Sequence, residues 1–152
     1  MKFSAQMKFG RLMGELLAGA VNRAAQDQST EPRELAQLIL PVPIHQKRLL
    51  QRGFNQAEVI AQTVARRLQL PLDTKTLCRS KHQLSQSRLS AVEREKNIRR
   101  AFTVEHYDQV QGKQVAVIDD VYTTGATARA VARQLKKAGA SKISIWAVAR
   151  AP

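Results

Sequence analysis

The sequence predicts an α/β domain in three layers, with a mostly parallel sheet of about five strands between helices. Short apolar runs typical of strands alternate along the chain with segments that have helical periodicity. The strand runs are apolar almost throughout, as in parallel sheets that are covered on both faces. The length of 152 residues fits one ordinary domain with a single core.

The first element is an amphipathic helix, predicted over 6–26 because apolar residues recur there at intervals of three and four. We expect this face to be core. Its members are Phe9, Leu12, Met13, Leu16, Leu17, Ala20, Val21 and Ala24. A polar linker follows, and we divide the chain into this N-terminal region at 1–30 and the main domain at 31–152.

The main domain contains the five predicted strands. One ends near Val42, and the others cover 72–77, 102–104, 114–119 and 142–149. The strand at 72–77 is predicted only from a short alternation of apolar and polar residues. Helices are predicted from Phe54 to before Pro71, at 91–98 and at 126–138, with Gly139 just past the end of the last one. In the RGFNQ stretch, Gly53 and Asn55 suit a tight turn and a helix N-cap, which leaves Arg52 able to reach a ligand.

The net charge is +13, and residues 45–100 carry 13 Lys and Arg against four Asp and Glu. Such a field attracts polyanions, either a pyrophosphate-bearing metabolite or nucleic acid. Charge alone does not distinguish the two. The chain has seven aromatic residues and no evident stacking stripe, so the case for single-stranded DNA rests on charge alone.

Composition also excludes several classes of protein. No stretch approaches the ~18–20 consecutive apolar residues of a membrane span, and the first residues lack the apolar segment of a secretory signal. We therefore expect a cytoplasmic protein. Cys78 is the only cysteine, so neither an internal disulfide nor a cysteine-based zinc site can form from this chain.

The most informative stretch is VAVIDDVYTTGATARAV at 115–131, where two carboxylates end an apolar strand and a hydroxyl-rich turn leads into a helix. The helix dipole and the first backbone N–H groups suit a phosphate, and Gly125 permits close approach. Asp119 and Asp120 suit sugar hydroxyls instead. A ribose 5-phosphate satisfies both requirements.

Other interpretations of this stretch stay open. The two aspartates can be turn and cap residues of a routine connection, with Thr124 as the N-cap. The chain contains neither G-x-x-x-x-G-K-[ST] nor G-x-G-x-x-G. A phospho-receiver domain needs most of its length after such an acidic pair, and only 32 residues follow Asp120.

The segment VAVIDDVYTTGATA resembles the phosphoribosyl pyrophosphate (PRPP) motif of type I phosphoribosyltransferases. Two more features are similar to the ComF/GntX family, whose members are phosphoribosyltransferase-like and in several cases associated with competence or with use of DNA as a nutrient. One is PVPIHQKRLLQRGFNQAEVIAQ at 41–62. The other is a spacing that runs from Arg79 or Lys81 through Gln86, Leu89, Arg94, Asn97, Ile98 and Phe102. The similarity covers essentially the whole chain.

The resemblance implies three binding regions. Asp119 and Asp120 would bind the ribose hydroxyls, and the 5-phosphate would lie on Thr123, Thr124, Gly125, Ala126 and Thr127. The turn at 43–48 would be the pyrophosphate loop, with charge and hydrogen-bond partners His45, Lys47, Arg48 and Arg52. Mg²⁺ would be held mainly by PRPP itself, so no metal-binding residues are expected.

Catalytic candidates lie in the basic segment 79–100, where the family has its flexible catalytic loop. They are His82, Arg94 and Lys96, and we expect the segment to be exposed and mobile without ligand. Lone loop histidines are more often plain surface, and the arginines can equally form a solvated helix face. They can also bind a nucleic-acid backbone.

This sequence differs from related proteins in two ways that limit which metal and which acceptor the resemblance implies. Many ComF proteins begin with a four-cysteine zinc ribbon, which would end about where this chain starts, so zinc is not predicted. Thr123 stands where 6-oxopurine phosphoribosyltransferases have an aspartate that acts on the purine, so hypoxanthine or guanine salvage is not expected. An enzyme with an unknown acceptor remains one hypothesis. The alternative is a non-catalytic protein that senses PRPP or binds single-stranded DNA, with a competence protein as a further partner.

Overall fold

The computed structural model describes residues 2–80 and 90–151. The described elements, in chain order, are α1 (Lys2–Asp27), α2 (Pro32–Leu35), β1 (Leu38–Pro41), α3 (Gln46–Arg52), α4 (Gln56–Leu68), β2 (Leu77–Arg79), α5 (Ala91–Arg99), β3 (Phe102–Val104), β4 (Gln114–Tyr122), α6 (Ala126–Lys137) and β5 (Lys142–Arg150). None of the helices in this part of the chain combines the length and the apolar character that a bilayer span needs.

The main sheet is parallel and has β4 at its centre, between β1 and β5. Leu38 of β1 lies opposite Val115 of β4, and Gln114 lies opposite Lys142 of β5. Strands β2 and β3 form a separate antiparallel pair. The predicted α/β class is therefore correct, but the five strands are divided between a parallel sheet of three and an antiparallel pair.

The strand predicted at 72–77 is mostly a turn. Leu72 makes a single parallel bridge to Ile39, and β2 begins only at Leu77. Asp73 forms the turn, because its carboxylate accepts hydrogen bonds from the Lys75 N–H (2.7 Å), the Thr76 N–H (2.9 Å) and the Thr76 hydroxyl (2.6 Å). Such local side-chain bonds compete with strand pairing.

Alternate residues of β4 contribute to two different cores. Val115 and Val117 pack with α6 in one core, whereas Ala116 and Ile118 pack with α1 and α4 in the other. This alternation follows from the two-residue period of a strand. It explains why residues 115–118 of the strand are all apolar, and it confirms that helices cover both faces of the sheet.

Helix α1 packs on α4 through its small residues rather than through the whole apolar face that the periodicity predicts. A Cβ on Gly14 would lie 2.5 Å from the Cβ of Thr63, so the two backbones approach closely. Leu17 and Val21 are buried as expected, but Phe9, Leu12 and Leu16 are more than half exposed, and Ala20 and Ala24 are exposed as well. The apolar residues of α1 span more than one stripe, and the stripe containing the glycines is the one that α4 covers. The division of the chain at residue 30 stays a prediction.

The segment after β1 is more helical than the sequence indicates, whereas the helix predicted at 91–98 is confirmed. The predicted pyrophosphate loop at 43–48 includes the start of α3 at Gln46. The end of the basic segment contains α5, where Ser90 and Glu93 form a capping box. Ser90 Oγ accepts from the Glu93 N–H at 3.3 Å, and Glu93 Oε2 accepts from the Ser90 N–H at 2.8 Å. The expectation of mobility for 79–100 stays a prediction, and residues 81–89 of that segment lie outside the described residues.

Candidate functional site

The polar residues predicted to bind a ligand meet at the carboxyl edge of the parallel sheet. Pro41, the last residue of β1, lies opposite Ile118 of β4, so the chain leaving β1 towards α3 starts beside Asp119 and Asp120. The turn after β4 leads into α6 at the same edge. Ligands of open α/β sheets bind at this edge, beyond the carboxyl ends of the strands.

Asp119 and Asp120 are neighbours near the end of β4, and their carboxyls lie close enough to interact directly. Both are half-buried. Asp119 Oδ1 accepts the Asp120 N–H at 2.9 Å, and Asp120 Oδ1 accepts the Val121 N–H at 2.8 Å. Burial, reinforced by the adjacent Asp120 carboxyl, raises the pKa of Asp119 to about 7. A ligand that donates hydrogen bonds to this carboxyl, as a sugar hydroxyl does, would favour its ionised form.

The turn between β4 and α6 leaves the start of the helix without a side-chain cap. Gly125, at φ +77°, occupies the N-cap position, and Thr124 does not. The Thr124 hydroxyl reaches only the Ala126 N–H, at 3.4 Å. The first turn of α6 has no acidic residue. Its N–H groups and its dipole are thus suited to an external anion, which favours a ligand-binding turn over a routine connection.

Two residues that the sequence analysis did not single out support this turn. The Tyr122 hydroxyl lies against Gly125, where a Cβ would collide with it, and the Tyr122 ring lies 5.9 Å from the Arg150 guanidinium. Arg129 Nη1 donates to the Thr124 carbonyl at 3.0 Å. A tyrosine before the turn and an arginine one helical turn after it are the signals that could have identified them.

The residues predicted for pyrophosphate lie on and around α3. His45 is the N-cap of this helix, and its Nδ1 accepts the Lys47 N–H at 3.1 Å. Lys47, Arg48 and Arg52 are exposed. Burial and then the charge of Arg48 lower the pKa of Arg79, whose guanidinium lies 5.3 Å from the Phe102 ring. The end of β2 therefore adds a further guanidinium near Arg48.

The predicted RGFNQ turn has the expected geometry. Gly53 ends α3 in the left-handed region, and Asn55 caps α4 by accepting the Ala57 N–H at 3.1 Å. The buried Asn55 side chain also donates to the Val42 carbonyl at 3.0 Å. This bond fixes the start of α4 to the end of β1, and it places Arg52 at the sheet edge.

A cavity of about 630 Å³ lies beside Asp120, between α1, the start of α4 and the ends of β4 and β5. Its walls are mostly apolar and include Phe9, Met13, Phe54 and Val148, while Arg52 and Asp120 add charge. Sequence reasoning missed this cavity because its lining comes from four separate segments. No signal in the sequence marked it, because periodicity assigned Phe9 to the core face of α1.

The structure describes only one of the three catalytic candidates in full. Lys96 is exposed on α5. Arg94 is on the same helix, but its side chain is outside the described part of the chain, as is all of His82. Within residues 2–80 and 90–151, no group of three His, Cys, Asp or Glu residues could hold a metal ion.

Comparison with known sequences identifies a family and similar proteins. Residues 54–152 match the family described as phosphoribosyl transferase domain. Competence protein F of Haemophilus influenzae is 35% identical over 151 residues, which are 99% of this chain and 65% of that protein. DNA utilization protein YhgH of Escherichia coli (strain K12) is 33% identical over 150 residues, 99% of this chain and 64% of that protein. The chain thus spans less than two thirds of these relatives.

Among solved structures, a glutamine phosphoribosylpyrophosphate amidotransferase from B. subtilis, complexed with ADP and GMP, has a TM-score of 0.58 and 20% sequence identity. The match covers 91% of this chain and 26% of the amidotransferase. A likeness at this identity concerns the fold alone, and it confirms the predicted type I phosphoribosyltransferase class.

Proposed function

Because the chain belongs to the phosphoribosyl transferase domain family and is of the ComF type, we propose that it binds PRPP and transfers phosphoribose to an acceptor. The proposal includes a link to DNA uptake or DNA utilisation, on the strength of the two relatives' names. We place this activity in the cytoplasm, since PRPP is a metabolite of the cell interior.

The observation that carries the proposal is the uncapped start of α6 directly after two carboxyls. Backbone N–H groups and hydroxyls of residues 123–127 would bind the 5-phosphate, with Gly125 allowing close approach. Asp119 and Asp120 would accept hydrogen bonds from the ribose hydroxyls. An anion site next to paired carboxyls fits a phosphorylated sugar better than it fits phosphate alone.

The pyrophosphate would lie towards α3. Lys47, Arg48 and Arg52 offer positive charge there, and His45 can donate from Nε2 because its Nδ1 is an acceptor. Oxygen ligands suit Mg²⁺, and Asp119 and Asp120 are close to where PRPP would lie, but no three-residue metal group exists among the described residues. As the family resemblance implies, the ion would be held mainly by PRPP and water, and when bound it would offset the charge of the pyrophosphate.

In the proposed reaction, the bond between ribose C1 and the pyrophosphate oxygen breaks and a bond from C1 to the acceptor forms. Pyrophosphate leaves with the bonding electron pair, and the acceptor loses a proton. This chain would hold ribose and pyrophosphate in position while positive charge develops on the sugar. The apolar cavity beside Asp120 has room for an acceptor. His82, Arg94 and Lys96 remain the candidates to close over pyrophosphate.

A second candidate function is a protein that binds PRPP without catalysis and uses its basic surface on single-stranded DNA. Exposed Lys96, Arg99 and Arg100 at the end of α5 favour it. Release of pyrophosphate from PRPP when candidate acceptors are added would distinguish the enzyme from this binding protein.

Both candidate functions assume that the chain binds PRPP, and thermal unfolding tests this binding. PRPP with Mg²⁺ should raise the melting temperature of the wild-type chain, because a ligand that binds only the folded state stabilises it. The variant Asp119→Asn with Asp120→Asn should lose this shift, since two amides present fewer acceptor sites to the ribose hydroxyls. Asp108→Asn, at an exposed position in the turn before β4, is the control and should keep the shift. Equal shifts in all three proteins would remove the ribose assignment.

A further inference from the structure

Beyond the ribose 5-phosphate site, we infer that the chain has a subsite for a second phosphoryl group, linked to the 5-phosphate and bound in the cleft between α5 and α6. The inference rests on the proposed function, because it takes the 5-phosphate to lie at residues 123–127. The ligand class is a ribose that carries more than one phosphate on its 5-side.

The cleft is continuous with the phosphate-binding turn. It has a volume of about 70 Å³ and is lined by Ile98, Arg99, Ala126, Arg129, Ala130 and Arg133. Three of these six residues are arginines. Ala126 belongs both to the cleft and to the proposed 5-phosphate site, so a group attached to that phosphate would lie next to the cleft.

Arg129 connects the two sites. Its Nη1 donates to the Thr124 carbonyl at 3.0 Å, which holds the guanidinium against the turn. This bond uses one of the five N–H donors of an arginine side chain. The guanidinium therefore contributes positive charge at the boundary between the turn and the cleft.

Among the described residues, no acid forms an ion pair with Arg129 or Arg133. Helix α6 contains no Asp or Glu. The ion pairs found among the described residues join Glu15 to Arg66 and Arg67, on α1 and α4. On α5, Glu93 is held by Ser90 at the start of the helix, and the side chain of the other acid, Glu95, lies outside the described part of the chain. Arg129 and Arg133 line the same small cleft, so an anion between them would relieve their repulsion.

The size of the cleft selects a compact anion. Pockets that enclose drug-sized ligands measure roughly 300–1,000 Å³, so a cleft of about 70 Å³ does not enclose a nucleobase. From Ala126 to Arg133 the helix rises by about 10 Å. This length accommodates a phosphate joined through a pyrophosphate link, and also one joined through the next nucleotide of a strand. In the second case the 3′-terminal nucleotide would occupy the ribose site, because Asp119 and Asp120 require free hydroxyls.

Calorimetric titration at low ionic strength tests the subsite, with ribose 5-phosphate and ribose 5-diphosphate as probes. A charge-assisted hydrogen bond contributes roughly 1.5–3 kcal/mol, so wild-type protein should bind the diphosphate about tenfold more tightly or better. Arg133→Ala should abolish this gain and keep the affinity for ribose 5-phosphate, since Arg133 lines the cleft and is absent from the turn. Arg33→Ala is the matched control and should keep the gain, because α2 precedes β1 and lies at the opposite edge of the sheet.

A second pair of titrations tests the end of a nucleotide strand, with the dinucleotides UpU and pUpU as probes. A gain for the diphosphate alone assigns the subsite to nucleoside-diphosphate-like ligands, and a gain for pUpU over UpU alone assigns it to nucleic-acid ends. Either result supports the subsite if Arg133→Ala removes the gain. If ribose 5-phosphate binds but neither added phosphate strengthens binding, or Arg133→Ala retains the gain, the subsite is overturned and the proposed function survives. If ribose 5-phosphate does not bind, both fail.

Discussion

At the scale of single residues, burial and a neighbouring carboxyl raise the pKa of Asp119 to about 7, far above its ordinary value. Its carboxyl is flanked by the Asp120 carboxyl and lies in a half-buried position at the end of β4. A purely structural strand end would not need such an arrangement, since burial of an acid without a cation costs stability. Raised carboxyl pKa values of this kind are common at ligand sites.

The raised pKa of Asp119 predicts how stability depends on pH. The pKa rises from 3.8 to about 7 on folding, so between these values the folded chain holds more protons than the unfolded chain. The free energy of unfolding should therefore fall as pH rises through this window and level off above it. Asp119→Asn lacks this proton and should gain stability relative to wild type between about pH 4 and pH 8. Urea unfolding of the ligand-free proteins measures the difference, and a constant difference across the window contradicts the prediction.

Gly125 is the residue on which the phosphate turn depends. A side chain there would meet Tyr122 and Arg129 and would have to adopt φ +77°. Gly125→Ala should therefore weaken ribose 5-phosphate binding strongly and destabilise the chain by roughly 1–3 kcal/mol through backbone strain, with the clash in addition.

The variant Gly112→Ala separates the effect of backbone strain from an effect on the phosphate-binding turn. Gly112 also has a positive φ, +74°, but no atom lies within 4 Å of the position that a Cβ would occupy. This variant should be destabilised by strain alone and should bind ribose 5-phosphate as wild type does. Titration and thermal unfolding of both variants measure the two effects. Unchanged binding in Gly125→Ala would make the turn merely structural.

At the scale of elements, periodicity and capping predicted most of the secondary structure. The strand at Phe102–Val104 and the start of α6 at Ala126 are as predicted, and Gly125 marks the start of α6 as its N-cap. Helix α3 was missed because its seven residues include no buried side chain, so burial gives no periodic pattern to detect. The antiparallel pairing of β2 with β3 depends on contacts between distant segments, which a single sequence does not display.

The candidate site was predictable to the extent that it is local in sequence. Asp119, Asp120 and the turn at 123–127 occupy one continuous motif, and the structure brings α3 next to them. Arg129 was not singled out, since a lone arginine on a helix resembles any solvated position. The cavity beside Asp120 required the packing of α1 against α4, which periodicity could not orient.

The packing of α1 on α4 gives a prediction at this scale. Gly14→Ala would place a Cβ 2.5 Å from Thr63 Cβ and 3.0 Å from the Ile60 carbonyl, and should destabilise the chain by about 1–3 kcal/mol. Gly19→Ala, on the same helix, meets only the end of the flexible Arg23 side chain at 3.5 Å. It should stabilise by up to about 1 kcal/mol through helix propensity. Denaturant unfolding of both variants checks the contrast, and equal effects would mean that α1 does not pack on α4 as described.

At the scale of the whole molecule, the net charge of +13 determines how strongly the chain attracts polyanions. Two basic regions border the proposed ribose site, one on α3 and one at the end of α5. Their positive potential would attract PRPP and, equally, a nucleic-acid backbone. Aromatic side chains are too few to form a stacking platform, so any binding of single strands should rest on phosphate contacts.

Single-stranded DNA binding, if it accompanies PRPP binding, should therefore fall steeply with salt and depend little on base sequence. Changing Arg94, Lys96, Arg99 and Arg100 together to Ser should flatten the slope of log affinity against log salt by up to ~3, at ~0.7 per lost contact. The control changes Arg11, Arg23, Arg33 and Lys142 to Ser, which removes the same charge from exposed positions elsewhere and should leave the slope nearly unchanged. Fluorescence anisotropy of a labelled oligonucleotide across a salt series measures all three proteins. Wild-type protein that does not bind at low salt, or equal slopes in both variants, would refute DNA binding at α5 and leave PRPP chemistry as the function of the basic surface.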